Sequence, residues 1–471
     1  MRIPKRLQAA CIAFVLAGAA AAQQQLPIPV ADALQRADIP AAAVGLHVQE
    51  VGGGPVLAAS NESVPFNPAS VMKLVTSNAA LEVLGPTFTW KTQAYMDGAL
   101  RGDVLHGDLI IKGSGDPKLV IENFWLFLRR IRAKGIREIR GNLLLDRSAF
   151  EELPHDSALF DGDPLKPYNV GPDALLLNYK ALAFRFQPNE ARTSVGMAVE
   201  PPLAAYPIHA PRLANGDCGD WRGKMQPSID GAGARFDGVF SAACGEKIWY
   251  VHPYQMSHTQ YFSLAFRRLW ADLGGSWKGE AKSGIMPPGA RLAAEWESAA
   301  LSEVIRDINK YSNNVMARQL LLTLANQVLR MPANTEHGAA VVRNWLSNKG
   351  IDAPELSIEN GSGLSRTERV SPLTLARMLA ASFQSPTMPE FMASLPLAGY
   401  DGTMRRRVNG RTVAGNAHIK TGTLHDVRAI AGYVLAASGK RYAVVCMINH
   451  PNATRGQEAQ DALLQWVYDR G

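Results

Sequence analysis

Apolar positions alternate with polar or small ones over residues 43–51 and again over 54–58, on either side of Gly52-Gly53. That pattern predicts two strands joined by a turn. Past Pro68 the period changes. Val71, Leu74, Val75, Leu81 and Leu84 recur at helical spacing, predicting a helix that opens near Ser70 and stops at Gly85-Pro86. From about residue 92 to 295, short β-like runs such as 104–115 and 136–146 alternate with Gly, Pro and Asp turns, the texture of a β-rich insertion. Helical periodicity returns at Ala299, with one long amphipathic pattern over 302–328. Ser371-Pro372 caps another that runs to about Phe383. Residues 427–437 and 441–449 read as a hairpin around Ser438-Gly439-Lys440, followed by an amphipathic helix over 457–468. The polar face of that helix is acidic rather than basic, so packing against a sheet is expected rather than a membrane surface. Strands early and late, with helices between, imply one sheet built from both ends of the chain.

Composition adds a compartment. At 471 residues the chain is long enough for two to four domains, and 47% apolar with 19% charged residues is a globular balance. The net charge of +7, less Arg2, Lys5 and Arg6, leaves +4 on the remainder. That diffuse basic bias suits an anionic polymer such as cell wall and gives no stripe for nucleic acid, which is set aside as a partner. The basic start, the apolar residues 9–22 and Ala20-Ala21-Ala22 before Gln23 predict a signal peptide over residues 1–22, with export to the periplasm and no transmembrane anchor after cleavage. Cys11 lacks a Leu three residues ahead, which argues against a lipoprotein signal. In an oxidising compartment Cys218 and Cys244 are expected to form a disulfide, while Cys446, inside a strand pattern, is expected as a buried thiol. The histidines are scattered and neither HExxH nor CxxC occurs, so neither a metal nor a cofactor is expected.

Candidate chemistry begins at Ser70-Val71-Met72-Lys73. Three residues are just under one helical turn, so hydroxyl and amine share a face within hydrogen-bond reach. A serine needs a base to become a nucleophile, and a lysine serves once burial or nearby positive charge lowers its pKa. By itself S-x-x-K also describes a capping serine followed by a solvated lysine. It occurs once in this chain. Lys420-Thr421-Gly422-Thr423 immediately precedes the hairpin. An edge strand there can pair with an extended peptide, glycine permits close approach, and the cation and hydroxyls suit a terminal carboxylate. Lys282-Ser283-Gly284 fits the same loose pattern but lies among turn residues and reads as a structural turn. Ser312-Asn313-Asn314 is the chain's one S-x-N; Tyr311 and Asn313 also satisfy Y-x-N, so spacing leaves the register open.

The order S-x-x-K, S-x-N, K-T-G is the signature of penicillin-binding proteins and serine β-lactamases. With Gly113-Ser114-Gly115-Asp116-Pro117, the run 360–366 and the run 395–403, the chain resembles the penicillin-binding protein 4 family, low-molecular-mass class C D-alanyl-D-alanine carboxypeptidase/endopeptidases. The resemblance implies an α/β (α+β) serine transpeptidase/β-lactamase-like fold, an antiparallel sheet flanked by helices, with nested β-rich domains inserted. Residues 23–91 and 296–471 would then form the peptidase domain and 92–295 the inserted region. It also implies that Ser70 attacks the penultimate D-Ala carbonyl with Lys73 as base, which selects the register in which Ser312 and Asn314 complete the proton network. Lys420, Thr421, Gly422 and Thr423 would bind the terminal carboxylate, with the N–H groups of Ser70 and Thr423 as oxyanion hole. Arg366 would face the diamino-acid end of the stem peptide, with Asp163 as partner. Peptidoglycan stem peptides and β-lactam antibiotics are the implied partners, and a homodimer is among the assemblies the sequence allows. The gap from Lys73 to Ser312 departs from β-lactamases, which carry no such insertion. A β-lactamase, or a peptidoglycan-binding protein without catalysis, is the alternative.

Overall fold

The computed structural model describes residues 26–152 and 154–471; the expected signal segment and Cys11 lie outside the described residues. A five-stranded antiparallel sheet runs in the order Ala417–Leu424, Val427–Leu435, Arg441–Asn449, Val44–Glu50, Val56–Ser60. Both ends of the chain thus meet in one sheet, through the pairing of Val44 with Ile448 and Glu50 with Tyr442. Its central strands are buried on both faces, and the period of two sorts them. Val44, Leu46, Val48, Val444, Cys446 and Ile448 pack under the helices Ile28–Arg36 and Gln457–Arg470. Ala443, Val445, Met447, Ala431 and Tyr433 face the helices Met72–Leu84, Leu301–Tyr311, Asn314–Leu329 and Pro372–Phe383. The C-terminal helix is therefore a sheet-packing helix, and Cys446 is a buried free thiol.

The buried members of a separate apolar core all fall between residues 94 and 294. It is covered by a seven-stranded sheet and by smaller three- and four-stranded sheets. Two helices in this stretch depart from the β-rich expectation. Ile121–Ala133 buries Phe124, Phe127, Leu128 and Ile131, and His258–Asp272 opens on a reciprocal capping box between Ser257 and Gln260. Lys282-Ser283-Gly284 is likewise not a turn: Ala281–Ser283 is a short strand lying parallel to Leu143–Leu145, a pairing that only tertiary structure supplies. Cys218 and Cys244 are joined in a disulfide. Among the described residues no helix is long and apolar enough to cross a membrane.

The long pattern over 302–328 is two helices. Ser312, in the left-handed region at φ 58°, ends Leu301–Tyr311, and the Asn313 side chain accepts from Met316 N to start Asn314–Leu329. The helix that follows is tied to residues 170–173. Gln319 Oε1 accepts from Asp173 N at 2.9 Å, its Nε2 donates to Asp173 O at 2.8 Å, and Arg318 Nη1 donates to Val170 O at 2.9 Å. Buried polar groups paired across such a seam fix its register, because leaving either partner unmatched is costly.

Candidate active site

Ser70 lies in a single 3₁₀ turn, Ala69–Val71, that leads into the helix Met72–Leu84. The turn is built from outside the helix. Asn67 Oδ1 accepts from Ala69 N at 2.8 Å, and Asn67 is itself held by Asn449 and by the Ser365 carbonyl. Ala69 adopts φ 45°, unusual for a residue with a Cβ, directly before the serine. Two glycines make room for it. A Cβ on Gly363 would come within 1.8 Å of the Ala69 carbonyl oxygen, and one on Gly422 within 2.6 Å of the Pro68 oxygen and 3.0 Å of Ser70 N. The K-T-G strand therefore runs against the backbone of Ser70.

Lys73 is fully buried. Its Nζ lies 2.9 Å from Ser70 Oγ and 2.6 Å from Asn314 Oδ1, and it also donates to the Ser362 carbonyl. Burial holds its pKa well below the usual lysine value, and the Lys420 cation pushes the same way; the Glu368 carboxylate opposes them and Arg318 adds to the depression. Lys420 is equally buried, donates to Ser312 Oγ at 2.9 Å and to the Thr421 carbonyl at 2.6 Å, and is pushed down by burial to about 7. Ser312 and Asn314 thus each reach one of the two lysines, while Asn313 caps its helix and Tyr311 points outward. Two hydroxyl–amine pairs result, Ser70 with Lys73 and Ser312 with Lys420, each amine of lowered basicity. A hydroxyl beside such an amine can lose its proton to it, or pass one on to a leaving amine.

Residues 26–469 match the D-Ala-D-Ala carboxypeptidase 3 (S13) family. The chain belongs to that family. It is a serine-type DD-peptidase. Among S13 relatives, it is 25% identical over 86% of its length to a D-alanyl-D-alanine carboxypeptidase of Haemophilus influenzae, covering 85% of that protein. It is 28% identical over 84% of its length to a D-alanyl-D-alanine carboxypeptidase of an Actinomadura species, covering 76% of that protein. The crystal structure of penicillin-binding protein 4 from Haemophilus influenzae superposes with a TM-score of 0.78 at 23% identity, covering 93% of this chain and 99% of that one, so the fold is shared.

Around this S13 cleft other expected residues fall differently. Thr421 Oγ1 donates to Thr403 Oγ1 at 2.7 Å, and Thr423 Oγ1 accepts from Arg428 Nη1 at 3.1 Å. Arg366 does not pair with Asp163. Its guanidinium binds Asp426 at 3.1 Å and lies 4.7 Å over the Phe160 ring, so the inserted region reaches it through an aromatic face rather than a carboxylate. Asp163 turns back to Lys166, 3.5 Å away at i+3, and its carbonyl accepts from Asn169. Local pairing within one loop prevails over a long-range partner.

The structure also brings in groups that residue reading passed over. The Ser362 carbonyl carries no side-chain signal; its loop is formed because Asn360 Oδ1 accepts from Ser362 N at 2.9 Å and Gly361 takes φ 71°. Glu368 is fully buried, and its Oε1 accepts from the N–H groups of Glu359, Asn360 and Gly361 at 2.9–3.1 Å. Thr76 Oγ1 binds the Gly361 carbonyl at 2.7 Å, tying the same loop to the serine helix. Glu368 thereby holds the loop that presents the Ser362 carbonyl to Lys73. Burial raises its pKa, while its backbone hydrogen bonds work in the opposite sense. A Glu between Thr367 and Arg369 reads as an exposed charge in sequence, and only the fold buries it.

Proposed function

We propose that Ser70 is the acylated residue of this DD-peptidase and that Lys73 is the base that activates it. The neutral Lys73 amine takes the Ser70 proton as Oγ attacks the carbonyl of the penultimate D-Ala. The N–H groups of Ser70 and Thr423 receive the developing oxyanion, and Lys420, Thr421 and Thr423 hold the carboxylate of the leaving residue. Ser312, bridging toward Lys420, passes its proton to the departing amine and recovers the one that Lys73 took; water then adds to the acyl carbonyl, one of its protons returning to Ser70 Oγ as the ester bond breaks. Residues 23–91 and 296–471 carry this chemistry, and 92–295 form an accessory region that reaches the cleft through Phe160. The substrates are D-Ala-D-Ala termini and D-Ala–diamino acid cross-links of peptidoglycan in the periplasm, and β-lactams acylate the same oxygen. The crystal structure of penicillin-binding protein 4 from Haemophilus influenzae complexed with a β-lactam supports that last point by analogy.

The observation that carries the reading is the buried Lys73 amine 2.9 Å from Ser70 Oγ. Intact-mass analysis after penicillin treatment tests it. Wild type should gain one penicillin mass, located on the peptide containing Ser70. Ser70→Ala should gain none while keeping the wild-type melting temperature. An adduct on Ser70→Ala would assign the nucleophile elsewhere.

A further inference from the structure

We propose that Tyr311 and Tyr400 form a subsite for an extended leaving group, the second stem peptide of a cross-linked substrate, and so set the preference for cross-link cleavage over release of free D-Ala. This rests on the proposed role of Ser70 and Lys420. The carboxylate bound at Lys420 and Thr421 belongs to the residue that departs, so surfaces adjoining Thr421 away from Ser70 face the leaving group. Thr403 is such a neighbour, with its hydroxyl 2.7 Å from that of Thr421.

Thr403 lies in the 3₁₀ turn Gly402–Met404, which is held firmly. Lys310 Nζ lies 2.6 Å from Asp401 Oδ2, and Asp401 Oδ1 accepts from Leu397 N at 2.7 Å. Gly402, at φ 52°, packs so close that a Cβ there would come within 2.5 Å of the Lys310 carbonyl oxygen. The residue after Lys310 is Tyr311, 73% exposed, and the residue before Asp401 is Tyr400, 64% exposed. The Lys310–Asp401 pair therefore brings the two tyrosine-bearing segments side by side. Tyr311 directly precedes Ser312, whose hydroxyl meets Lys420. The Tyr400 ring lies against Gly415, where a Cβ would come within 3.2 Å of it, so part of the ring is backed by protein. Neither tyrosine belongs to an apolar core of the described residues. Single exposed aromatics are ordinary. Two on segments clamped together beside the carboxylate receptor present broad, stiff, amphipathic faces suited to a peptide.

Three readouts on the full chain test this: the rate of penicillin acylation, D-Ala release from a monomeric pentapeptide, and cleavage of a cross-linked dimeric muropeptide. A β-lactam keeps its leaving amine tethered and a pentapeptide releases one residue, so neither reaches the tyrosines. Tyr311→Ala/Tyr400→Ala should lower kcat/KM on the dimer by about tenfold or more, the usual weight of aromatic contacts at an interface, with the other two readouts within about twofold. Tyr311→Phe/Tyr400→Phe should keep dimer cleavage near wild type, since it keeps the rings. Unchanged dimer cleavage in the alanine pair, an equal fall in all three readouts, or a wild type that cuts pentapeptide but no dimer would each overturn the subsite. Penicillin labelling confined to Ser70 would leave the underlying chemistry intact in those cases, whereas labelling elsewhere would remove that foundation instead.

Discussion

The core of residues 94–294 and the floor of the cleft differ in the kind of group they bury. Between residues 94 and 294 the interior is aromatic: Phe184 and Phe186 each meet Phe236 edge-on at 4.9–5.0 Å. Two arginines there lie over aromatic rings, Arg267 4.3 Å over Trp277 and Arg222 5.1 Å over Trp221. At the cleft, Lys73, Lys420 and Glu368 are fully buried. Burying an ammonium is unfavourable unless it is paired or loses its proton, and both lysines respond with lowered pKa values. One region gains stability from apolar burial, and the other gives some up to hold two amines whose burial favours the uncharged form.

Mutations should separate the two. Phe236→Ala, in the middle of the aromatic cluster, is expected to cost about 3–5 kcal/mol in urea unfolding, while the folded fraction keeps its penicillin acylation rate. Loss of acylation by fully folded Phe236→Ala protein would mean that the regions are not separable in this way. Cys218→Ser/Cys244→Ser opens a link across a sequence separation of 26 and should cost about 3.5 kcal/mol by loop-closure entropy, again without changing acylation. An unchanged midpoint would show that the aromatic core alone holds that segment.

The cleft should show the converse, a stability that depends on pH. Lys420 titrates near 7 when folded and near the ordinary lysine value when unfolded. Between those values the unfolded chain holds more protons, so the stabilising contribution is complete above the unfolded value and is lost as pH falls toward 7. Melting temperature should therefore gain from this group as pH rises from about 7, and Lys420→Met should flatten that gain. An identical pH profile in wild type and Lys420→Met would place the burial penalty elsewhere.

Legibility followed the same division. The spacing of Ser70 and Lys73 put both on one face within reach, and the other two motifs were needed to choose that reading over a capping serine with a solvated lysine. Lys420 could be put on an edge strand because the following hairpin is a local pattern. Ser312 and Asn314 needed the family likeness to choose the register, and the structure supplies the reason: the tripeptide is a break between two helices, not part of one. The helix Ile121–Ala133 carried a helical spacing of Phe124, Phe127, Leu128 and Ile131 that was readable but lay among β-like runs. Arg366 and Asp426 are 60 positions apart and meet only because the hairpin returns to the loop, so the choice of Asp163 had no local warrant. Glu368 acts on backbone N–H groups and Ser362 through its carbonyl, contacts that no side-chain pattern records.

Acylation of Lys73→Met by penicillin, followed against pH by stopped flow beside wild type, tests the central claim most directly. Wild-type rates should fall as acid protonates the amine, and Lys73→Met should lose about 10²–10⁴-fold at neutral pH, the usual worth of a positioned base, and keep little of the pH dependence. A folded Lys73→Met protein that acylates at the wild-type rate with the wild-type pH profile would contradict the account.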